Sequence, residues 1–209
     1  MAATNVAPTR SNLIRIKKEL RFAREGYEIL DRKREVLTTE LVRVAHEADV
    51  LQQEVWKLLE TAYAAMEKAR LVMGSDHVEW AALAANKTVD VHVKLRGIMG
   101  VTIPVIEARG EPQKLLYSPA DTTAALDEAA AAFREVLIKT PQLSMLVTTV
   151  WRLAGELRKT QRRVNALQHI FIPAYEATVA FIVSSLEERE REETFRLKWL
   201  KTKMTRQAA

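Results

Sequence analysis

Cysteine is absent from the 209-residue chain. That excludes disulfide frameworks, thiolate metal sites and cysteine nucleophiles, and it suits a reducing compartment. Glycine and proline are scarce, six of each, and no proline stands between Pro8 and Pro104, so the chain is punctuated very unevenly. No apolar run follows the amino terminus, so neither a signal peptide nor an anchor is expected there. A cytoplasmic location is the simplest reading. Neither a G-x-x-x-x-G-K-[ST] loop nor a G-x-G-x-x-G loop occurs, which speaks against nucleotide binding by this chain alone. His46, His77, His92 and His169 stand far apart without metal-ligand spacing, so surface or packing roles are expected. No cofactor, metal or catalytic site is expected.

Hydrophobic residues make up 48% of the chain, enough to bury a sizeable surface, so a folded main state is expected rather than disorder. Charge is unevenly placed. Residues 1–43 hold ten Lys or Arg against six Asp or Glu, 44–151 ten against fourteen, and 152–209 twelve against seven. Both ends are therefore basic and the middle is acidic.

From Leu13, positions spaced alternately three and four apart read Leu13, Ile16, Leu20, Ala23, Tyr27, Leu30, Arg34, Leu37, Leu41, Val44, Ala48, Leu51, Val55, Leu58, Ala62, Ala65, Ala69 and Val72. Seventeen of these eighteen are apolar. A 3.5-residue repeat held over so many turns cannot stay on one side of a straight helix, and it predicts a left-handed supercoil with a partner helix. At about 1.5 Å per residue, a helix over 10–73 would be about 95 Å long. Gly74-Ser75-Asp76 is its stop signal.

A short helix is predicted near 77–86. Val89, Val91, Val93 and Leu95 then alternate with Asp90, His92, Lys94 and Arg96, the period of a half-buried strand. Gly97 to Gly100 supply a turn, and the return strand is either Val101–Ile106 or Leu115–Tyr117. Asp121-Thr122-Thr123 caps an alanine-rich helix, which Pro141 is expected to interrupt or restart. A second seam follows: Leu143, Leu146, Val150, Leu153, Leu157, Thr160, Val164, Leu167 and Phe171, then Tyr175, Val179, Ile182 and Leu186. Consecutive steps of four make a stutter beside Pro173, which predicts a kink or straightened coil.

The fold expected is mainly α: a long antiparallel two-helix left-handed coiled coil with a small hairpin-containing head between the helices. Its divisions are a flexible 1–9, a first coil helix at 10–73, a head at 74–120, a return helix at 121–205 and a flexible 206–209. Ile170–Leu186 carries one charge, Glu176, in seventeen residues. It is shorter than the ~20 residues a span requires and holds Pro173, so coil packed against a further protein is preferred to membrane insertion. Glu187, Glu188, Glu190, Glu192 and Glu193 alternate with Arg189 and Arg191 as a salt-bridged solvated face rather than an acid-base site. The basic ends raise nucleic-acid binding, but interspersed acids and the lack of a reading module disfavour it.

Several blocks resemble the D subunit of V-type and A-type ATPases. They are Pro8-Thr9-Arg10, Gly26-Tyr27-Glu28-Ile29-Leu30-Asp31-Arg32 and Ile98-Met99-Gly100-Val101-Thr102-Ile103-Pro104. The most specific are Lys159-Thr160-Gln161-Arg162-Arg163-Val164-Asn165-Ala166-Leu167, in which Arg162, Arg163 and Asn165 stand, and Leu186 to Glu192. The resemblance implies a non-catalytic central shaft that carries torque between ATP chemistry in a hexamer of A and B subunits and ion movement through a membrane ring. Its implied partners are the A and B subunits, the F subunit, and a funnel-like subunit on that ring; its implied place is cytoplasmic and peripheral to the membrane. Val89, Val91, Val93, Met99, Gly100 and Pro104 fall in the family's regulatory hairpin. Arg10, Arg15, Lys17, Arg196, Lys198 and Lys201 are the candidates for contacting the hexamer pore. A stand-alone coiled-coil adaptor is the alternative.

Overall fold

A computed structural model of the chain describes residues 6–83, 89–110 and 122–207. Along it run α1 (Arg10–Met73), α2 (Ser75–Leu83), β1 (Val89–Ile98), β2 (Val101–Gly110), α3 (Ala124–Ala166), a π-helical turn (Leu167–Phe171) and α4 (Ile172–Gln207). Two compact units divide the chain, one of 1–35 with 158–209 and one of 36–157. Helix α1 contributes to both.

The 3.5-residue reading of α1 matches its burial. Of the eighteen positions, only Val72 is exposed, and Ile16, Ala23, Leu37, Val44, Ala48, Val55, Ala62 and Ala69 are fully buried. Val72 loses its place because Met73 turns instead toward Val78 of α2, beside Ala69 and Leu126. Gly74 then ends α1 at φ 84°, with its N–H donating to the Arg70 carbonyl, a left-handed cap that glycine adopts without a Cβ penalty. Arg34, the lone charge in the seam, is half-buried with Nη2 2.7 Å from Asp31 Oδ1.

In the first unit α1 runs antiparallel to α4. Arg10 meets Glu190 at 2.7 Å and Arg24 meets Glu176 at 2.6 Å, a separation of two heptads on each helix. These exposed pairs are each worth at most about 1 kcal/mol, so they mark the register and the buried seam provides the stability. That seam contains Thr160, Val164, Thr178 and Ile182. Thr178, not its neighbour Val179, is the deeper residue; its hydroxyl donates to the Ala174 carbonyl at 2.8 Å, which satisfies that donor within the helix. The segment Ile170–Leu186 is thus a seam on one side. The helical run Ala124–Met204 includes a stretch long and apolar enough to cross a membrane by length and composition, with 11% of it buried.

The stutter takes the form of the π turn. The Ile172 N–H reaches the Leu167 carbonyl, five residues back, just before Pro173. In α geometry the Pro173 ring would collide with the carbonyl four residues earlier, and widening the preceding turn by one residue moves that carbonyl aside. The same extra residue supplies the four-residue steps of the seam.

Pro141 does not interrupt its helix, contrary to the sequence expectation: α3 continues through it from Ala124 to Ala166. The bond that Pro141 cannot donate would go to Leu137, which is 42% exposed and so lies where water can replace it. One turn of lost bonding is offset by packing of Val136 and Leu143 against Val55 and Ala62.

The second unit holds α2 and the hairpin. Strands β1 and β2 pair antiparallel with Ile98 opposite Val101 and Val89 opposite Gly110, which selects the first of the two return strands; Leu115–Tyr117 lies outside the described residues. Met99 and Gly100 form a two-residue turn with φ of 50° and 79°, the mirror-image turn whose twist suits a hairpin. The apolar side of β1 is not the buried one. Val91, Val93 and Leu95 are exposed, while Ile98, Val101 and Ile103 from the opposite face pack on Leu37, Val44 and Leu153. Arg152 fastens this contact by donating from Nη1 to the Thr102 carbonyl at 2.6 Å.

Leu153 is 1% exposed at the junction of hairpin and helix pair. Leu153→Ala is expected to lower unfolding free energy by roughly 2–5 kcal/mol in a denaturant titration. Met99→Asn, placing a residue that tolerates positive φ at the turn, should slow amide exchange in β1 and β2.

Candidate functional site

The candidate pore contacts lie in the first unit. Pro8 and Thr9 lead into α1, where the Asn12 N–H donates to Thr9 Oγ1 at 3.3 Å and the Asn12 side chain donates to the Ala7 carbonyl at 2.8 Å. Arg189 donates to the Pro8 carbonyl at 3.3 Å, and Arg10 is paired with Glu190. The start of α1 is therefore tied to α4 near residues 189–190. Helix α4 continues for about four further turns, and every side chain of 191–204 is exposed.

This extension carries Arg196, Lys198 and Lys201, all exposed as expected, with Arg196 Nη2 4.0 Å from Glu192. Arg15 and Lys17 are also exposed but lie back along the paired part of α1, with Arg15 4.0 Å from Glu19. The structure thus groups the three α4 cations on a helix end beyond the seam and leaves Arg15 and Lys17 on the flank of the helix pair. Sequence reasoning named only the cations as pore contacts; Phe195 and Leu197 entered it as part of the block Phe195-Arg196-Leu197-Lys198 that resembles the family, and the apolar residues were given no contact role. Phe195, Leu197, Trp199, Leu200 and Met204 are 49–71% exposed, and Lys203 Nζ sits 5.1 Å from the Trp199 ring. Successive helical residues turn by about 100°, so Phe195 and Trp199 share one side and Leu197, Leu200 and Met204 another. A run of apolar residues within a basic, non-seam sequence was the available signal.

Arg162, Arg163 and Asn165 are exposed near the end of α3, around the fully buried Val164. Asn165 Oδ1 accepts from Gln161 at 2.7 Å, across one turn. The π turn begins two residues later. Of the hairpin candidates, Val91, Val93 and Met99 are exposed, Gly100 completes the turn and Pro104 is buried; the Val89 side chain lies outside the described ones. Val101 and Ile103, which seat the hairpin, were not among the candidates.

Electrostatics here is that of a solvated surface. Lys139, 2.9 Å from Glu54, holds that carboxyl below its usual range, and Arg43 does the same to Glu40 while its own guanidinium is pushed up. Among the described residues no group of three His, Asp or Glu stands close enough to hold a metal ion. The arrangement offers surfaces for contact.

These features define a mainly α protein of antiparallel helix pairing with a small hairpin seated on it. The sequence model of the ATP synthase D subunit family matches residues 12–202, and the chain belongs to that family. It is 41% identical to the V-type ATP synthase D subunit of Thermotoga neapolitana, over 97% of this chain and all of the relative. Identity to the A-type ATP synthase D subunit of Thermococcus gammatolerans is 38%, over 94% of each chain. With the second V-type ATP synthase D subunit of Treponema pallidum it is 39%, over 96% of each.

Because residues after Glu193 make no part of the buried seam, truncation there should leave the thermal midpoint within about 2 °C of the full chain. A loss of ~10 °C in calorimetry would assign the extension a folding role instead.

Proposed function

We propose that this chain is the central rotor shaft of a V/A-type ATPase, a non-catalytic component. It carries torque between ATP hydrolysis or synthesis in a hexamer of A and B subunits and ion translocation through a membrane ring. The observation that carries this reading is the continuous heptad seam of α1, 64 residues long, which packs antiparallel partners in both units of a chain of this family. Two helices locked by an apolar seam resist twisting better than one, because relative sliding would expose that seam to water.

The termini enter the hexamer, with Arg196, Lys198 and Lys201 on the leading end and Arg10, Arg15 and Lys17 behind them. The apolar residues interleaved with those cations face several directions, which suits a surrounding collar better than a one-sided dock. The F subunit binds on the side of the shaft, and a funnel-like subunit on the ring holds the other end. The hairpin from Val89 to Pro104, held by Arg152, adjusts ATPase activity. Arg162, Arg163 and Asn165 stand where a partner touching the shaft meets the turn that precedes Pro173. The protein acts in the cytoplasm, peripheral to the membrane, without inserting into it and without nucleic acid.

A bead fixed to this chain in an immobilised A and B complex should rotate when ATP is added; a bound bead that stays still while ATP is hydrolysed would refute the shaft. Replacing Arg196, Lys198 and Lys201 together by Gln should weaken assembly with the hexamer, with a smaller difference from wild type at about 0.5 M salt than at low salt, read in a pull-down titration. Leu41→Pro, which breaks α1, should abolish assembly and coupling together.

A further inference from the structure

Beside the π turn the first unit carries a groove of about 420 Å³ that none of the pore or hairpin candidates lines. One wall comes from α1, where Lys18, Arg21, Phe22 and Glu25 follow one another at spacings of three, one and three and so share a face. The other wall is Leu167 and Phe171 of the π turn with Tyr175 of α4. Phe22 and Phe171 are 77% and 48% exposed, and Tyr175 is half-buried. Among the described residues no ring contact joins these three, so none of the rings is spent on another. Single π turns inside α-helices are frequent at functional sites, and this one supplies two of the wall residues.

The charges along the groove balance, with one exception. Arg15 Nε lies 4.0 Å from Glu19 and Arg21 Nε 3.7 Å from Glu25, each pair one turn apart on α1. Arg24, next to the groove, takes Glu176 of α4 at 2.6 Å. Lys18 is exposed, stands four residues before Phe22 and enters no ion pair among the described residues. One ammonium therefore borders an apolar, aromatic cavity without a counter-ion. Sites that hold a small molecule are mostly apolar, with a few polar groups that fix its orientation, and run from about 300 to 1,000 Å³, a range that includes this groove.

We propose that this groove binds a small planar aromatic monoanion, an aryl carboxylate, with its ring system among Phe22, Phe171 and Tyr175 and its carboxylate on Lys18. Charge and shape select this class. An inorganic anion would leave the rings without a partner, and a neutral arene would leave the Lys18 ammonium without one. A cation drawn to the ring faces would meet that ammonium as a like charge. The site lies wholly within the first unit and does not rest on the shaft reading.

The test titrates 2-naphthoate into the purified, isotope-labelled full chain and follows its amide resonances by NMR. Saturable shifts are expected at residues 18–25 and 167–175, with a Kd of about 1 mM or below. Lys18→Gln should raise that Kd roughly fivefold, as should replacing the probe by neutral 2-naphthamide, since an exposed ion pair contributes little more. Phe22→Ala should raise it roughly tenfold. Both side chains are exposed, so both variants should keep the wild-type circular-dichroism melt. The proposal is overturned if no saturable shift appears up to the solubility limit of the probe, or if the shifts centre on the α4 extension. It is equally overturned if 2-naphthamide or 2-naphthylmethylammonium binds as tightly as 2-naphthoate, or if the affinity survives both substitutions. Rotation of a bead on the assembled complex is a separate measurement, so the shaft and the groove stand or fall independently.

Discussion

Burial of the apolar stripe on α1 is the constraint from which the rest follows. A helix of 64 residues is far longer than an isolated helix needs to be, and it gains its stability from a partner along its length. The stripe repeats at 3.5 residues, so its partners must follow it around a supercoil, and the antiparallel sense lets one chain supply them. Small side chains at Ala23, Ala48, Ala62 and Ala69 are interspersed with the larger Leu37, Val44 and Val55, which lets backbones approach closely in some layers and side chains interdigitate in others.

Irregularities occur where they leave that stripe intact. The π turn inserts its extra residue before Pro173 and brings Thr178 and Ile182 back onto α1. Pro141 sits with its missing bond directed away from the seam, and the hairpin is attached through Val101 and Ile103 at the layer of Leu37, Val44 and Leu153. What lies outside the stripe is left for other contacts: the α4 extension, the outer face of β1 and the groove beside Phe22.

Helix α1 was legible almost residue by residue because a seam is a one-dimensional pattern. Gly74, the hairpin position and the seam beyond Pro173 were legible for similar local reasons. Three features were not. The effect of Pro141 depends on whether its carbonyl partner faces water, which no local pattern encodes. Alternation in β1 showed that one face is apolar but not which face meets the helices; Val101 and Ile103 of the partner strand decided that. The apolar end of α4 keeps a three-four spacing at Leu197, Leu200 and Met204, and only the exposure of these side chains distinguishes it from a buried seam, which no local pattern encodes. The family relation was legible in short blocks such as Lys159–Leu167, while the pore and hairpin roles rest on partners the chain does not contain.

Native-state hydrogen exchange measures the central claim directly. If the seam is one cooperative structure, amides of Ile16–Ala69 and of Leu153–Ile182 should exchange only through global unfolding, and amides after Glu193 should exchange orders of magnitude faster. Fast, residue-by-residue exchange within α1, or an α4 end as protected as Leu37, would contradict it.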